Sequence, residues 1–211
     1  MSLTELARAA LVIAIGLILG SVLPADVLAR RRGIDIRSSG DGNPGLTNAI
    51  HVLGWAPGLI TAVYDVSVGV VSLEIALLLG ASNGVAYLAG IASIVGHRFP
   101  VFRMLRGGGE GMAASAGLVL YAVGVAVSKG WISFLDLGVL VAILLIIFAW
   151  SRSDVVAAIV VLPLFVIRLM LTPADVQFLA FATAATAHIW FVQIVALRHP
   201  LAGAVHETGA H

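Results

Sequence analysis

Two short loops hold most of the residues in this chain that could do chemistry. One runs Arg37-Ser-Ser-Gly-Asp-Gly-Asn-Pro-Gly45, the other Arg106-Gly-Gly-Gly-Glu-Gly111. Both are basic and rich in glycine. Consecutive backbone N–H groups in such loops form anion-binding concavities, above all where a helix starts just after them. Arginine adds planar, multi-donor recognition of phosphate. The chemistry on offer is the binding of an anionic, phosphorylated molecule, with an acyl chain admitted from a lipid-facing side. The competing reading is two flexible turns whose arginines set topology. His97 adjoins the second loop and could orient or deprotonate a hydroxyl. A lone histidine at a helix end also serves as a cap or a packing residue.

The elements that must position these loops follow from composition. The chain has 211 residues, 60% hydrophobic and 11% charged, with mean hydropathy +1.07. Soluble domains carry roughly 25% charged residues. A water-soluble fold of this length cannot bury so much apolar surface, so the solvent is lipid. The expected fold is an all-α integral membrane protein of about seven transmembrane helices, one polytopic domain over 1–211. No cleavable leader is expected, because no small-residue cleavage site follows the first apolar run before the basic cluster. The predicted helices are 7–29, 50–80, 83–98, 111–128, 133–150, 154–171 and 174–198, the second interrupted near Tyr64 and Asp65. Turn chemistry separates them at 81–84, 128–130, 151–154 and 172–175. Ser153 or Asp154, and Thr172, are predicted N-caps.

Orientation follows from basic residues. Arg30, Arg31, Arg32, Arg37, Arg98, Arg103, Arg106, Arg152 and Arg198 fall on one side, nine of the twelve. Arg8, Lys129 and Arg168 fall on the other. The positive-inside rule then puts the N-terminus outside, the C-terminus in the cytoplasm, and the loops 30–48 and 98–111 at the cytoplasmic face of a plasma membrane. Asp65 and Glu74 lie within the second helix, where ionisable residues are functional by default. Asp65 could equally bond a backbone group at the interruption, and Glu74 could sit at the outer interface. Asp26 and Arg30 are spaced for an i,i+4 pair. Trp55, Trp131, Trp150 and Trp190 read as interfacial anchors. Cysteine is absent. The histidines are scattered, so no metal and no cofactor is expected, and His206 and His211 read as tail residues. A net charge of +1 gives no reason to expect nucleic acid. A monomer in contact with membrane lipid is expected.

Asp35-Ile-Arg-Ser-Ser-Gly-Asp-Gly-Asn-Pro-Gly-Leu-Thr-Asn48 resembles the first loop signature of the bacterial acyl-phosphate:glycerol-3-phosphate acyltransferases of the PlsY type, D-I-R-x-x-G-S-G-N-x-G-A-T-N. Gly96-His-Arg-Phe-Pro-Val-Phe102, followed by Arg106-Gly-Gly, resembles the second, G-H-x-F-P-V-F…K-G-G-K-G. Gly20-Ser21 and Pro24 through Arg30 are similar to the family's opening G-S-I-P…A-R. The resemblance covers the whole chain. It implies transfer of an acyl group from acyl phosphate to the 1-hydroxyl of glycerol 3-phosphate, making lysophosphatidic acid for phospholipid synthesis. Arg37, Gly42, Asn43, Gly45, Thr47, Asn48, Arg103, Arg106, Gly107 and Gly108 would then bind substrate phosphate. His97, His199 and Asp41 would be the catalytic candidates.

This chain departs from the family pattern at several positions. The serine of G-S-G-N is Asp41. The arginine after A-T-N is His51. The lysine that follows the helix-2 aspartate falls on Val68. The second loop has one extra glycine, which puts its lysine at Glu110 or Gly109. The C-terminal H-x-x-N keeps His199 and has Ala202 for asparagine. These changes make the site less cationic. Two unit charges 4 Å apart interact by about 4 kcal/mol at an effective dielectric of about 20, so exchanging lysine for glutamate beside a phosphate reverses a large contribution. An altered acceptor, a non-catalytic lipid- or anion-binding protein on the same scaffold, and a small transporter are the alternatives.

Overall fold

The computed structural model describes residues 2–198, and among them every regular element is helical. His199, Ala202, His206 and His211 lie outside the described residues. Nine α-helices follow one another: α1 (Leu3–Gly20), α2 (Pro24–Arg30), α3 (Leu46–Leu53), α4 (Trp55–Leu78), α5 (Asn83–Arg98), α6 (Met112–Ser128), α7 (Phe134–Ser151), α8 (Asp154–Met170) and α9 (Val176–Arg198). By length and composition α1, α4, α5 with the turn after it, α7 and α9 can cross a membrane. The apolar helices α6 and α8 are shorter. Together these are the seven apolar helices that composition demands. The short α2 and α3 belong to the first loop region.

The structure corrects three expectations about where helices break and start. The first helix is not continuous over 7–29. It stops at Gly20 and restarts at Pro24, the first residue of α2, where the missing N–H costs nothing. The second is broken at Gly54, φ 94°, a backbone geometry open to glycine. It is not broken at Tyr64–Asp65, where α4 runs straight through. A buried aspartate in a span looks like a break in sequence, but its side chain lines a cavity and leaves the helix hydrogen bonds intact. Thr172 caps no helix start. Its hydroxyl donates to the Leu169 carbonyl at 2.6 Å, while Asp175 accepts the Phe178 N–H at 2.9 Å. Ser153 does cap α8, accepting from the Val156 N–H at 3.3 Å.

Helices α1, α4, α5, α6 and α9 pack around one core that includes Val12, Leu73, Leu118 and Phe178. Helix α8 lies on α9, and α7 lies on α8 at the periphery with no buried residue. A two-pronged ion pair joins that last pair: Arg168 donates from Nε and Nη2 to the Asp136 carboxylate at 2.9 and 3.0 Å. Trp131 meets Phe178 edge-on at 5.2 Å inside the aromatic cluster, so it is a packing residue. Trp55 and Trp150 are exposed, as anchors would be.

The end of α1 positions the second loop. The Tyr64 hydroxyl donates to the Leu19 carbonyl at 2.7 Å. The Ser21 hydroxyl donates to the Leu17 carbonyl at 2.7 Å and accepts the Val101 N–H at 3.0 Å. The Gly-Ser pair singled out in the sequence thus ties α1 to the turn after α5.

Candidate active site

The first loop is folded by its own polar side chains. Asp35 accepts the Arg37 N–H at 3.1 Å and starts a 3-10 turn over Ile36–Ser38. Asn48, buried in α3, donates to the carbonyls of Ile36 (3.1 Å) and Ser39 (2.9 Å) and accepts from the Asp41 N–H (3.2 Å). All its hydrogen-bonding capacity toward the loop is committed, so Asn48 shapes the loop and has no donor left for phosphate. Asp41 accepts the Asn43 N–H at 2.8 Å, an Asx turn of the kind that serine makes more weakly.

In the second loop four glycines are required by their surroundings. Gly107 and Gly111 have φ of 65° and 75°. A Cβ on Gly108 would strike the carbonyls of His97 and Arg98, and one on Gly109 would strike His97 Nε2. Of the five residues 107–111, only position 110 has room and backbone for a side chain. Glu110 is therefore the side chain this loop can carry toward the cavity, and with Gly109 one of the two positions at which the family pattern's lysine could fall.

Asp26, buried on α2, joins the two loops. Its carboxylate takes Arg30 Nε at 3.2 Å, the expected i,i+4 pair, along with Arg37 Nη1 and Arg103 Nη1, the last at 3.3 Å. Arg37 also donates from Nε to the Gly107 carbonyl at 2.6 Å. One carboxylate thereby pins both glycine-rich loops. Burying a charge is tolerable only with partners of this kind.

Between the loops lies a cavity of about 370 Å³. Its first wall is loop 1 and the start of α3: Asp41, Asn43, Gly45, Leu46, Thr47 and Asn48. Its second is Glu110, Gly111 and the start of α6. Both helix starts have a glycine N-cap and no side-chain cap, so their first N–H groups are free for an anion. Asp65 and His97 line the floor, 1% and 3% exposed and 3.9 Å apart from Oδ1 to Nδ1. Those two atoms, Asn43 Oδ1 and Arg37 Nη2 are buried without a hydrogen-bond partner. Buried polar atoms in folded proteins are almost always paired. Three of these four orphans, on Asp65, His97 and Asn43, belong to residues that line this one cavity, which is suited to a polar molecule.

A second, larger groove of about 580 Å³ opens beside it. Phe99, Phe191, Val192 and Val195 give it an apolar wall, and Arg98, His188 and Glu110 give it a polar end. Glu110 lines both spaces. A polar cavity joined to an apolar groove suits a reaction between a water-soluble and a lipidic substrate.

Of the residues singled out in the sequence, Asp41, Asn43, Gly45, Thr47, Asn48, His97 and Glu110 meet at the cavity. Arg37 stands behind it with Gly42 and Gly107. Arg103 faces an open cleft with Arg30 and Asp35, and Arg106 is exposed. His51 is exposed on α3 and Val68 is core. Asp65 stood out in the sequence only as an ionisable residue in a span, and His188 was not singled out. A histidine in the mostly apolar last span was the signal for His188.

The sequence profile of the family described as glycerol-3-phosphate acyltransferase matches residues 10–202. A glycerol-3-phosphate acyltransferase 1 of Deinococcus radiodurans is 40% identical over 56% of this chain and 58% of its own length. One from Parasynechococcus marenigrum is 37% identical over 72% of this chain and 68% of its own. The chain thus spans little more than half of the first relative. The crystal structure of PlsY, an integral membrane glycerol 3-phosphate acyltransferase, in its glycerol 3-phosphate form, superposes with a TM-score of 0.69 at 27% identity over 92% of both chains. With a profile match over well above half of its residues, and both loop signatures folded onto one cavity, the chain belongs to the glycerol-3-phosphate acyltransferase family.

Proposed function

We propose that this protein transfers an acyl group from acyl phosphate to the 1-hydroxyl of glycerol 3-phosphate, giving lysophosphatidic acid and inorganic phosphate. The observation that carries the reading is the pairing of the polar cavity, with its orphaned Asp65, His97 and Asn43 atoms, and the apolar groove that shares Glu110 with it. The acyl chain lies in the groove. The acceptor lies in the cavity, its phosphate on the free N–H groups of α3 and α6. The hydroxyl oxygen attacks the acyl carbon, the C–O bond to phosphate breaks, and phosphate leaves with the electron pair. His97, oriented by Asp65, receives or directs the hydroxyl proton. Holding the two substrates in this geometry supplies much of the rate. The protein works as a monomer, one polytopic domain, with the N-terminus outside and the site at the cytoplasmic face. His199, the remaining catalytic candidate, stays a proposal from the family pattern.

The test is acyl transfer by purified protein in lipid, with palmitoyl phosphate and labelled glycerol 3-phosphate. Labelled lysophosphatidic acid is the expected product, and folded protein that makes none overturns the reading. In the same assay Asp65→Asn lowers kcat about 10-fold or more with a smaller change in KM, because it loosens a group that acts on the reacting hydroxyl. An equal rise in both substrates' KM at unchanged kcat contradicts that role. One observation favours a less anionic acceptor: the cavity is lined by Asp41, Asp65 and Glu110 and, among the described residues, by no lysine or arginine. Glycerol competing evenly with glycerol 3-phosphate would support that second reading.

A further inference from the structure

We propose that His188 is a ligand for the phosphate of the acyl donor, filling the role that the second loop gives up by carrying Glu110. The inference rests on the acyl-phosphate reading above. His188 sits on α9, half-buried, at the polar end of the apolar groove with Arg98 and Glu110. Its ring is fixed: Nδ1 lies 2.8 Å from the hydroxyl of Ser115, which is fully buried on α6. With the hydroxyl donating, the ring proton is on Nε2, the nitrogen left for a ligand. The ring also lies against Gly111, where a Cβ would come within 3.2 Å of Cε1 and 3.8 Å of Nε2. The glycine lets the imidazole reach the uncapped start of α6.

Three phosphate-seeking groups therefore surround Glu110: His188, the Arg98 guanidinium and the first N–H groups of α6. Glu110 alone would repel a phosphate at the junction of groove and cavity. The histidine reaches that junction from α9, a helix outside both loop signatures that packs on α5 and α6. A donor with its chain along Phe191, Val192 and Val195 presents its phosphate at this end. A polar side chain in a membrane helix could also serve only to tie two helices together, here α6 to α9. The two roles differ in what they do to substrate.

The experiment uses the full-length protein in nanodiscs. His188→Phe keeps the ring and removes its donors. Ser115→Ala/His188→Phe removes both polar partners, a change that leaves packing close to neutral, so one of the two folds. KM is measured separately for palmitoyl phosphate and for glycerol 3-phosphate, and hexadecylphosphonate binding is measured directly. A lost hydrogen bond to a charged group raises KM for the donor and weakens the phosphonate by roughly 10-fold or more. KM for glycerol 3-phosphate stays within about two-fold, the spread of a bystander change. Phosphonate binding that does not depend on His188, or an equal rise of both KM values with a lower thermal midpoint, overturns the proposal. Phosphonate binding needs no turnover. A protein that binds it through His188 yet makes no lysophosphatidic acid refutes the proposed reaction and leaves this site standing.

Discussion

Arg37→Ala abolishes acyl transfer, by about 100-fold or more, while the helices stay folded. The side chain serves Asp26 through Nη1 and the Gly107 carbonyl through Nε, and its Nη2 is buried without a partner. Its loss does not strand Asp26, which keeps Arg30 at 3.2 Å and Arg103 at 3.3 Å. What is lost is the link between the two loops. Misplacing a reacting group by about 1 Å can cost about 10²-fold in rate. Arg37→Lys restores little, because one ammonium cannot reach both acceptors in the fork geometry of guanidinium. The check is turnover of both variants beside their thermal midpoints. Arg37→Ala with a tenth or more of wild-type rate means the loops are positioned by other contacts.

Gly20→Val separates α1 from α5 and lowers both stability and activity. Gly16 and Gly20 on α1 sit on the carbonyls of Ala89 and Ser93 on α5, and Gly96 on α5 sits on the carbonyl of Leu17. Gly16-x-x-x-Gly20 is the small-residue spacing that lets two membrane helices touch backbone to backbone. A valine there meets backbone that cannot rotate away. Overpacking of this kind costs about 1–3 kcal/mol, and more where backbone must move. The damage reaches the site because Ser21, the next residue, holds Val101 at the root of the second loop. Thermal unfolding in detergent shows the loss as a lower midpoint. Gly124→Ala is the contrasting variant. Nothing lies within 4 Å of its Cβ position in α6, so the midpoint holds or rises. Equal effects from the two substitutions would remove the packing argument.

The parts of this architecture that were legible in sequence are those set by a residue's immediate surroundings. Seven apolar stretches had to be helices, because lipid leaves backbone N–H and C=O groups no other partner. Helix α5 was placed at its observed limits, 83–98, since turn residues bound it on both sides. The cavity-lining Asn43, Thr47 and His97 were found from the loop signatures. Asn48 was found as well, though its part in folding the loop was not, because that depends on which carbonyls come near it.

Tertiary structure alone decided which charges meet. Asp26 draws in arginines 11 and 77 residues away, and Ser115 meets His188 across 73. No spacing rule reaches that far, since helical periodicity pairs residues only three or four apart. The place of Glu110 was equally hidden. It follows from the crowding of Gly108 and Gly109 against His97 and Arg98, which is steric and exists only once α5 and the loop are folded together. The sequence by itself determined a membrane protein of seven apolar helices with two basic, glycine-rich loops, because those properties are local. How the arginines, carboxylates and histidines divide between holding the loops and facing the substrates was settled by packing, which brings together charges that the chain keeps far apart.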